Sequence, residues 1–170
     1  MELQEAIVNR RSIRKYGQEQ VSDEDLRKVL QSGMDAPSAG NLQSRHFYAV
    51  KDLAMRRGLA SAAHGQHFIS EAPVAIVVCV DSRIDMRYGE RGKNLYAVMD
   101  CAASVQNMML TAHELGLGTC WVGAFDEREA ARAINTSPYL RPVAILPLGK
   151  AAESPSPHKQ KKFEDVCEFR

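Results

Sequence analysis

The sequence predicts a mixed helix and sheet domain, α+β or α/β, with helices packed against a sheet of about four strands. Three observations carry that reading. Residues 73–80, Pro-Val-Ala-Ile-Val-Val-Cys-Val, are apolar on both faces and rich in β-branched side chains, as a central strand covered on two sides must be. In residues 95–115, Val98, Met99, Ala102, Val105, Met109, Ala112 and Leu115 recur at helical spacing. Cys101, Ala103 and Met108 widen that apolar surface around the helix, so it should be largely buried. Finally, strand-like and helix-like runs alternate along the 170 residues with a few extra helices, and there is no fixed-period repeat or low-complexity tract.

In chain order, Leu3, Ile7 and Ile13 mark a short first helix ending near a group of arginines. Ser22 caps a second helix, with Asp25 at the reciprocal position and acids at the positive helix end. Its stripe is Leu26, Val29, Leu30 and Met34, and Gly33 and Pro37 close it. Residues 37–44, Pro-Ser-Ala-Gly-Asn-Leu-Gln-Ser, have loop chemistry. A strand follows over 46–50 and a helix over 53–63. After the buried helix, Gly116 and Gly118 stop it and Thr119–Gly123 reads as a strand. Asp126 caps a helix through Ile134, and 142–148 is the last strand. Residues 150–162 are rich in Pro, Ser and Lys and belong on the surface, while Phe163, Val166 and Phe169 resume an apolar pattern.

A chain of 170 residues fits one domain, since single cores typically span about 100–200 residues. The 22 Lys and Arg nearly cancel the 21 Asp and Glu, which excludes a global basic field for nucleic acid. Cys79, Cys101, Cys120 and Cys167 include no C-x-x-C pair, and the first three lie in apolar runs. That pattern predicts reduced thiols and a cytoplasmic setting. Charge from Glu2 onward does not read as a signal peptide, and no apolar stretch approaches the ~20 residues of a membrane span.

Few residues offer chemistry of their own. Arg10, Arg11 and Arg14 flank Ser12, and guanidinium groups with a hydroxyl can grip a phosphate. By spacing alone the cluster reads first as a solvated helix end, where cations are favoured. His158-Lys159-Gln160-Lys161-Lys162 forms a second basic cluster, by itself an ordinary surface loop. Gly116-Leu117-Gly118 lacks the third glycine of a dinucleotide fingerprint. His46, His64, His67 and His113 are scattered, and no metal site is expected. Asp81, Asp85, Asp100, Glu114 and Asp126 form no recognisable dyad, and Ser38 lies in no G-x-S-x-G elbow. Possible phosphate grips without a nucleophile, acid or metal point to a cofactor that does the chemistry.

Four blocks, spanning residues 3 to 166, resemble the FMN-dependent nitroreductases. They are Arg10-Arg11-Ser12-Ile13-Arg14-Lys15-Tyr16, then Ala36-Pro37-Ser38-Ala39-Gly40-Asn41-Leu42-Gln43, then the buried helix with Gly116–Phe125, and last Leu146-Pro147-Leu148-Gly149-Lys150 followed by Lys159 and Lys161. The resemblance implies a three-layer α+β sandwich with a central, mainly antiparallel sheet of four to five strands. It implies one domain over 1–170, whose residues 150–170 form an arm reaching a partner subunit, in a homodimer with FMN at the interface. Arg10, Arg11 and Ser12 would hold the FMN phosphate, with Lys159 and Lys161 as a second arm, and Arg14 would stabilise the reduced ring. Pro37, Ser38, Ala39, Asn41 and Gln43 would contact FMN from the partner, and the main chain of Trp121, Val122 and Gly123 would lie along the ring.

The activity implied is ping-pong hydride transfer from NADH or NADPH through FMN to an electron-poor small molecule such as a nitroaromatic or a quinone. No nucleic acid or membrane partner is implied. The alternative is a non-catalytic FMN-binding or sensing protein. Two departures stand out: Ser44-Arg45 replaces the family's usual Pro-Trp, putting the loop's rigidity in question, and Lys161 stands where Arg is common. The chain is also short for the family, so a more open site is expected.

Overall fold

The structure, a computed structural model, describes residues 1–84, 87–157 and 159–170. Asp85 and His158, which figured in the acidic and basic groups above, lie outside the described residues. The elements run α1 Leu3–Asn9, α2 Asp23–Met34, β1 Arg45–Val50, α3 Leu53–Ala62, α4 Phe68–Glu71 and β2 Val74–Asp81. They continue through α5 Gly89–Arg91, a π-helical turn Gly92–Tyr96, α6 Ala97–Glu114, β3 Leu117–Thr119, α7 Glu127–Ala133 and β4 Leu140–Lys150.

The strands form one four-stranded sheet in the order β1-β2-β4-β3, antiparallel at every pairing. All eight residues of β2 are buried. Strand alternation then splits them between two cores. Val74, Ile76, Val78 and Val80 face Leu26, Val29, Val105 and Met108 of α2 and α6. Ala75, Val77 and Cys79 face Leu59, Ala60, Ala130 and Ile134, carried by α3, α7 and the residue after α7. The result is a three-layer sandwich, and each fully buried Ile, Leu or Val adds roughly 1.5–3 kcal/mol. Pro142 is tolerated in central β4 because it sits at a bulge opposite Cys79, where the ladder is already interrupted.

The helix starts follow the local signals. Ser22 Oγ accepts from the Asp25 N–H at 3.0 Å, and the Ser22 hydroxyl donates back to the Asp25 carboxylate at 2.8 Å. Asp126 accepts from the Glu129 N–H at 2.9 Å. Gly116, at φ +70°, ends α6.

Four expectations need correction. Ile13 is not on α1, which stops at Asn9; its amide instead donates to Thr119 of β3. The predicted strand over 119–123 lies earlier, at 117–119, leaving Val122 in a single bridge with Ile145. Met99, counted on the buried face of α6, is 58 % exposed, and Met34 is exposed on α2. Leu3 and Ile7 do not form a packed stripe either: Leu3 is 68 % exposed, and only Ala6 of α1 is buried.

Cys79, Cys101 and Cys120 are buried free thiols. Burial pushes Cys79 and Cys101 up to about 12, which removes the reactive thiolate at neutral pH. A disulfide-exchange reagent at pH 8 should therefore leave these three unlabelled in the native protein and label them on denaturation. Rapid native labelling of any of them would contradict the core described here.

Candidate functional site

The arginine block is an extended strip tied to the β3 edge of the sheet. Ser12 bridges Thr119, the Ile13 N–H donates to the Thr119 carbonyl at 2.8 Å, and the Gly17 N–H donates to the Lys150 carbonyl at 2.9 Å. Ala152 returns a bond to the Lys15 carbonyl at 2.9 Å. The Tyr16 hydroxyl, buried under Ala72 and Phe68, donates to the Ile13 carbonyl at 2.6 Å. Ile13 approaches so closely because residue 118 is glycine: a Cβ there would lie 2.8 Å from Ile13 Cγ1.

The side chains of this strip differ in what they touch. Arg10 Nη1 is buried with no hydrogen-bond partner among the described residues. Burial, then the neighbouring Arg11, lowers the Arg10 pKa from its ordinary value. Arg11 spends its guanidinium on the Val8 and Arg10 carbonyls at 2.6 and 2.9 Å. Ser12 lies against the Cys120 thiol, whose pKa burial raises while Arg14 opposes the shift. Arg14 reaches over the Phe68 ring at 5.9 Å. Its amide donates to Glu153 at 2.5 Å, and the Lys15 amide joins at 3.1 Å. Beside the strip lies a cleft of about 430 Å³, lined among others by Arg10, Arg11, His113, Thr119, Glu153 and Pro155.

The segment after β3 has a different character. Val122 is buried and exchanges both backbone hydrogen bonds with Ile145, at 2.9 and 3.0 Å. Its neighbours Trp121 and Gly123 are exposed, Trp121 by 41 %. The Gly123 N–H has no protein partner among the described residues. That leaves a free donor on an exposed main-chain segment three residues beyond Cys120.

The loop before β1 is held tightly despite lacking Pro-Trp. The buried Asp100 carboxylate accepts from the Ala39 N–H at 3.0 Å and from the Ser44 hydroxyl at 3.3 Å. Ser38 Oγ accepts from the Gln43 N–H at 3.0 Å. Arg45 donates to the Ala36 carbonyl at 2.8 Å and also to the carbonyls of Met34 and Pro37. Ser44 and Arg45 thus supply the rigidity that the sequence left in question. Gly40, Asn41 and Gln43 all have positive φ, near +55°. Left-handed backbone at non-glycine residues costs of order 1–3 kcal/mol each and clusters at ligand clamps.

Within one chain these two regions stay apart, the arginine strip on the β3 edge and residues 37–43 leading into the opposite edge, β1. Lys159 and Lys161 are exposed and lie outside the cleft lining, which reaches only to Pro157. Sequence spacing did not single out His113, Glu153, Asp100 or Arg45 for these positions, because the segments they meet are not their neighbours in the chain.

Comparison with known proteins decides the class. The sequence model of the Nitroreductase family matches residues 7–69 and 60–150. The chain belongs to the nitroreductase family. Among nitroreductase relatives, a Methanothermobacter thermautotrophicus protein with a provisional NADH dehydrogenase/NAD(P)H nitroreductase name is 36 % identical, over 91 % of this chain and 80 % of its own. A Bacillus subtilis FMN reductase [NAD(P)H] is 26 % identical over 89 % of this chain and 67 % of its own. A crystal structure from Parabacteroides distasonis, 25 % identical, superposes with a TM-score of 0.87 over 98 % of this chain and 96 % of that one. The nitroreductase fold predicted from the four blocks is therefore the fold found. No helix among the described residues is long and apolar enough to cross a membrane.

Proposed function

We propose that this chain is an NAD(P)H-dependent FMN oxidoreductase acting as a homodimer on electron-poor small molecules, nitroaromatic or quinone in type. The observation that carries the reading is the buried, unpartnered Arg10 Nη1, held beside Ser12 on a strip anchored to the sheet. A buried donor without a partner is rare in native proteins, and a ligand phosphate oxygen satisfies it. The relatives' names, FMN reductase and NADPH-flavin oxidoreductase among them, support the same cofactor.

FMN held by these residues would supply the redox chemistry, hydride transfer between NAD(P)H and the acceptor in separate half-reactions. The chain's own part is binding and electrostatics. Arg10 and Ser12 hold the phosphate, Arg11 adds positive field, and Lys159 and Lys161 close on it from the arm. Arg14 places a cation where negative charge develops on reduction. The exposed main chain of Trp121 and Gly123 would offer the ring N–H groups that no described residue engages. Residues Pro37, Ser38, Ala39, Asn41 and Gln43 come from the second copy, because within one chain they lie at the opposite sheet edge.

Dimerisation is supported by apolar surface left open on one chain, on Leu3, Ile7, Val8, Met34 and Met99. The arm beyond Ala152 carries Phe163, Val166 and Phe169 in the open, Phe169 at 92 % exposure, as a segment made to pack on another copy would. The buried free thiols suit a cytoplasmic setting.

Purified protein should show flavin absorbance, directly or after incubation with FMN, run as a dimer, and oxidise NADH or NADPH in the presence of a nitroaromatic or quinone with parallel double-reciprocal plots. Protein that takes up no FMN sinks the reading. Bound flavin with no NAD(P)H oxidation by any acceptor identifies a non-catalytic FMN-binding protein instead.

A further inference from the structure

The cleft beside the arginine strip is lined by a second residue that carries an orphaned polar atom. His113 Nε2, in the last turn of α6, is buried without a hydrogen-bond partner among the described residues, and His113 and Arg10 line the same cleft. Orphaned buried polar atoms cost about 1–3 kcal/mol each, so two residues that carry them on the wall of one cleft mark a place for a shared partner. The cleft, about 430 Å³, has room for a phosphate group. Burial first, then Arg10 and Arg11, lowers the His113 pKa, while Glu5 opposes them. That direction favours the neutral imidazole, which can donate one N–H.

We propose that His113 is a further arm of the phosphate grip, its Nε2–H and Arg10 Nη1 donating to the same phosphomonoester. The inference rests on the FMN reading above and adds to it a residue that no motif in the chain identifies. The physical reason is complementary placement. Arg10 enters the cleft from the strip after α1, and His113 enters from the end of α6. A phosphate bound between them would be fixed in position by two elements that the core already holds rigid.

The test is a fluorescence titration of flavin-free protein with FMN and with riboflavin, which lacks the phosphate, for wild type, His113→Ala and His113→Gln. Wild type should prefer FMN. His113→Ala should weaken FMN about 10-fold and leave riboflavin nearly unchanged, a charge-assisted hydrogen bond being lost. His113→Gln, which keeps an N–H donor, should recover part of the preference. A purely structural role would shift both ligands together, and that result overturns the assignment. So does an FMN-to-riboflavin ratio in His113→Ala equal to that of wild type, a result that leaves the FMN reading standing. If wild type binds neither flavin, the FMN reading itself fails and the His113 assignment fails with it.

Discussion

Replacing Arg10 with alanine is expected to weaken FMN binding about 10- to 100-fold while leaving the free protein at least as stable as wild type. The first effect follows from losing a partly buried charged hydrogen bond, worth about 1.5–3 kcal/mol where each 1.4 kcal/mol is tenfold in affinity. The second follows from the state of Arg10 without ligand. Its Nη1 is buried without a partner, and Arg11 repels it. Removing Arg10 therefore deletes an unfavourable group from the free protein and a favourable one from the complex. Opposite signs in thermal denaturation and FMN titration are the signature. Equal loss in both would make Arg10 a structural residue. Arg10→Lys should recover only part of the affinity, because a point charge replaces a fork of donors.

Replacing Gly118 with valine is expected to destabilise the fold by about 1–3 kcal/mol and to abolish tight FMN binding at the same time. A Cβ at 118 would stand 2.8–2.9 Å from three carbons of Ile13, a residue buried at 7 % exposure with no room to retreat. Relief requires the strip to lift from β3, which breaks the bond from the Ile13 N–H to Thr119 and carries Arg10 and Ser12 away from the site. Gly118→Ala should show a smaller version. Combining it with Ile13→Ala, which removes both γ carbons from the contact, should cost less than the two single changes added together, since the pair share one contact. Denaturant unfolding and flavin titration measure both arms. Additive losses would show that strip and strand do not press on each other.

The legible and illegible parts of the chain divide along a physical line. The helix starts at Ser22 and Asp126 were readable because a cap is satisfied within three residues. Strand β2 was readable because burial on both faces leaves no polar position in it before the terminal Asp81. The error at Met99 arose because an apolar side chain at helical spacing looks the same whether it faces the sheet or the open surface. The shift of β3 to 117–119 arose because edge pairing is decided by β4 and the arginine strip, neither adjacent in sequence. Arg45 read as a departure from a motif, yet in the fold it binds the carbonyls at the end of α2.

By itself the sequence determined the layered α+β class, the central strand, the long buried helix and the family to which the chain belongs. Each rests on periodicity or on a contiguous block, and both are local properties. Only the tertiary structure decided that Arg10 Nη1 is buried and unpartnered, that His113 shares the cleft that Arg10 lines, and that residues 37–43 sit at the sheet edge opposite the arginines. Those facts depend on which distant segments fold back beside one another, and a hydrogen-bond partner far along the chain leaves no mark on the spacing of its neighbours.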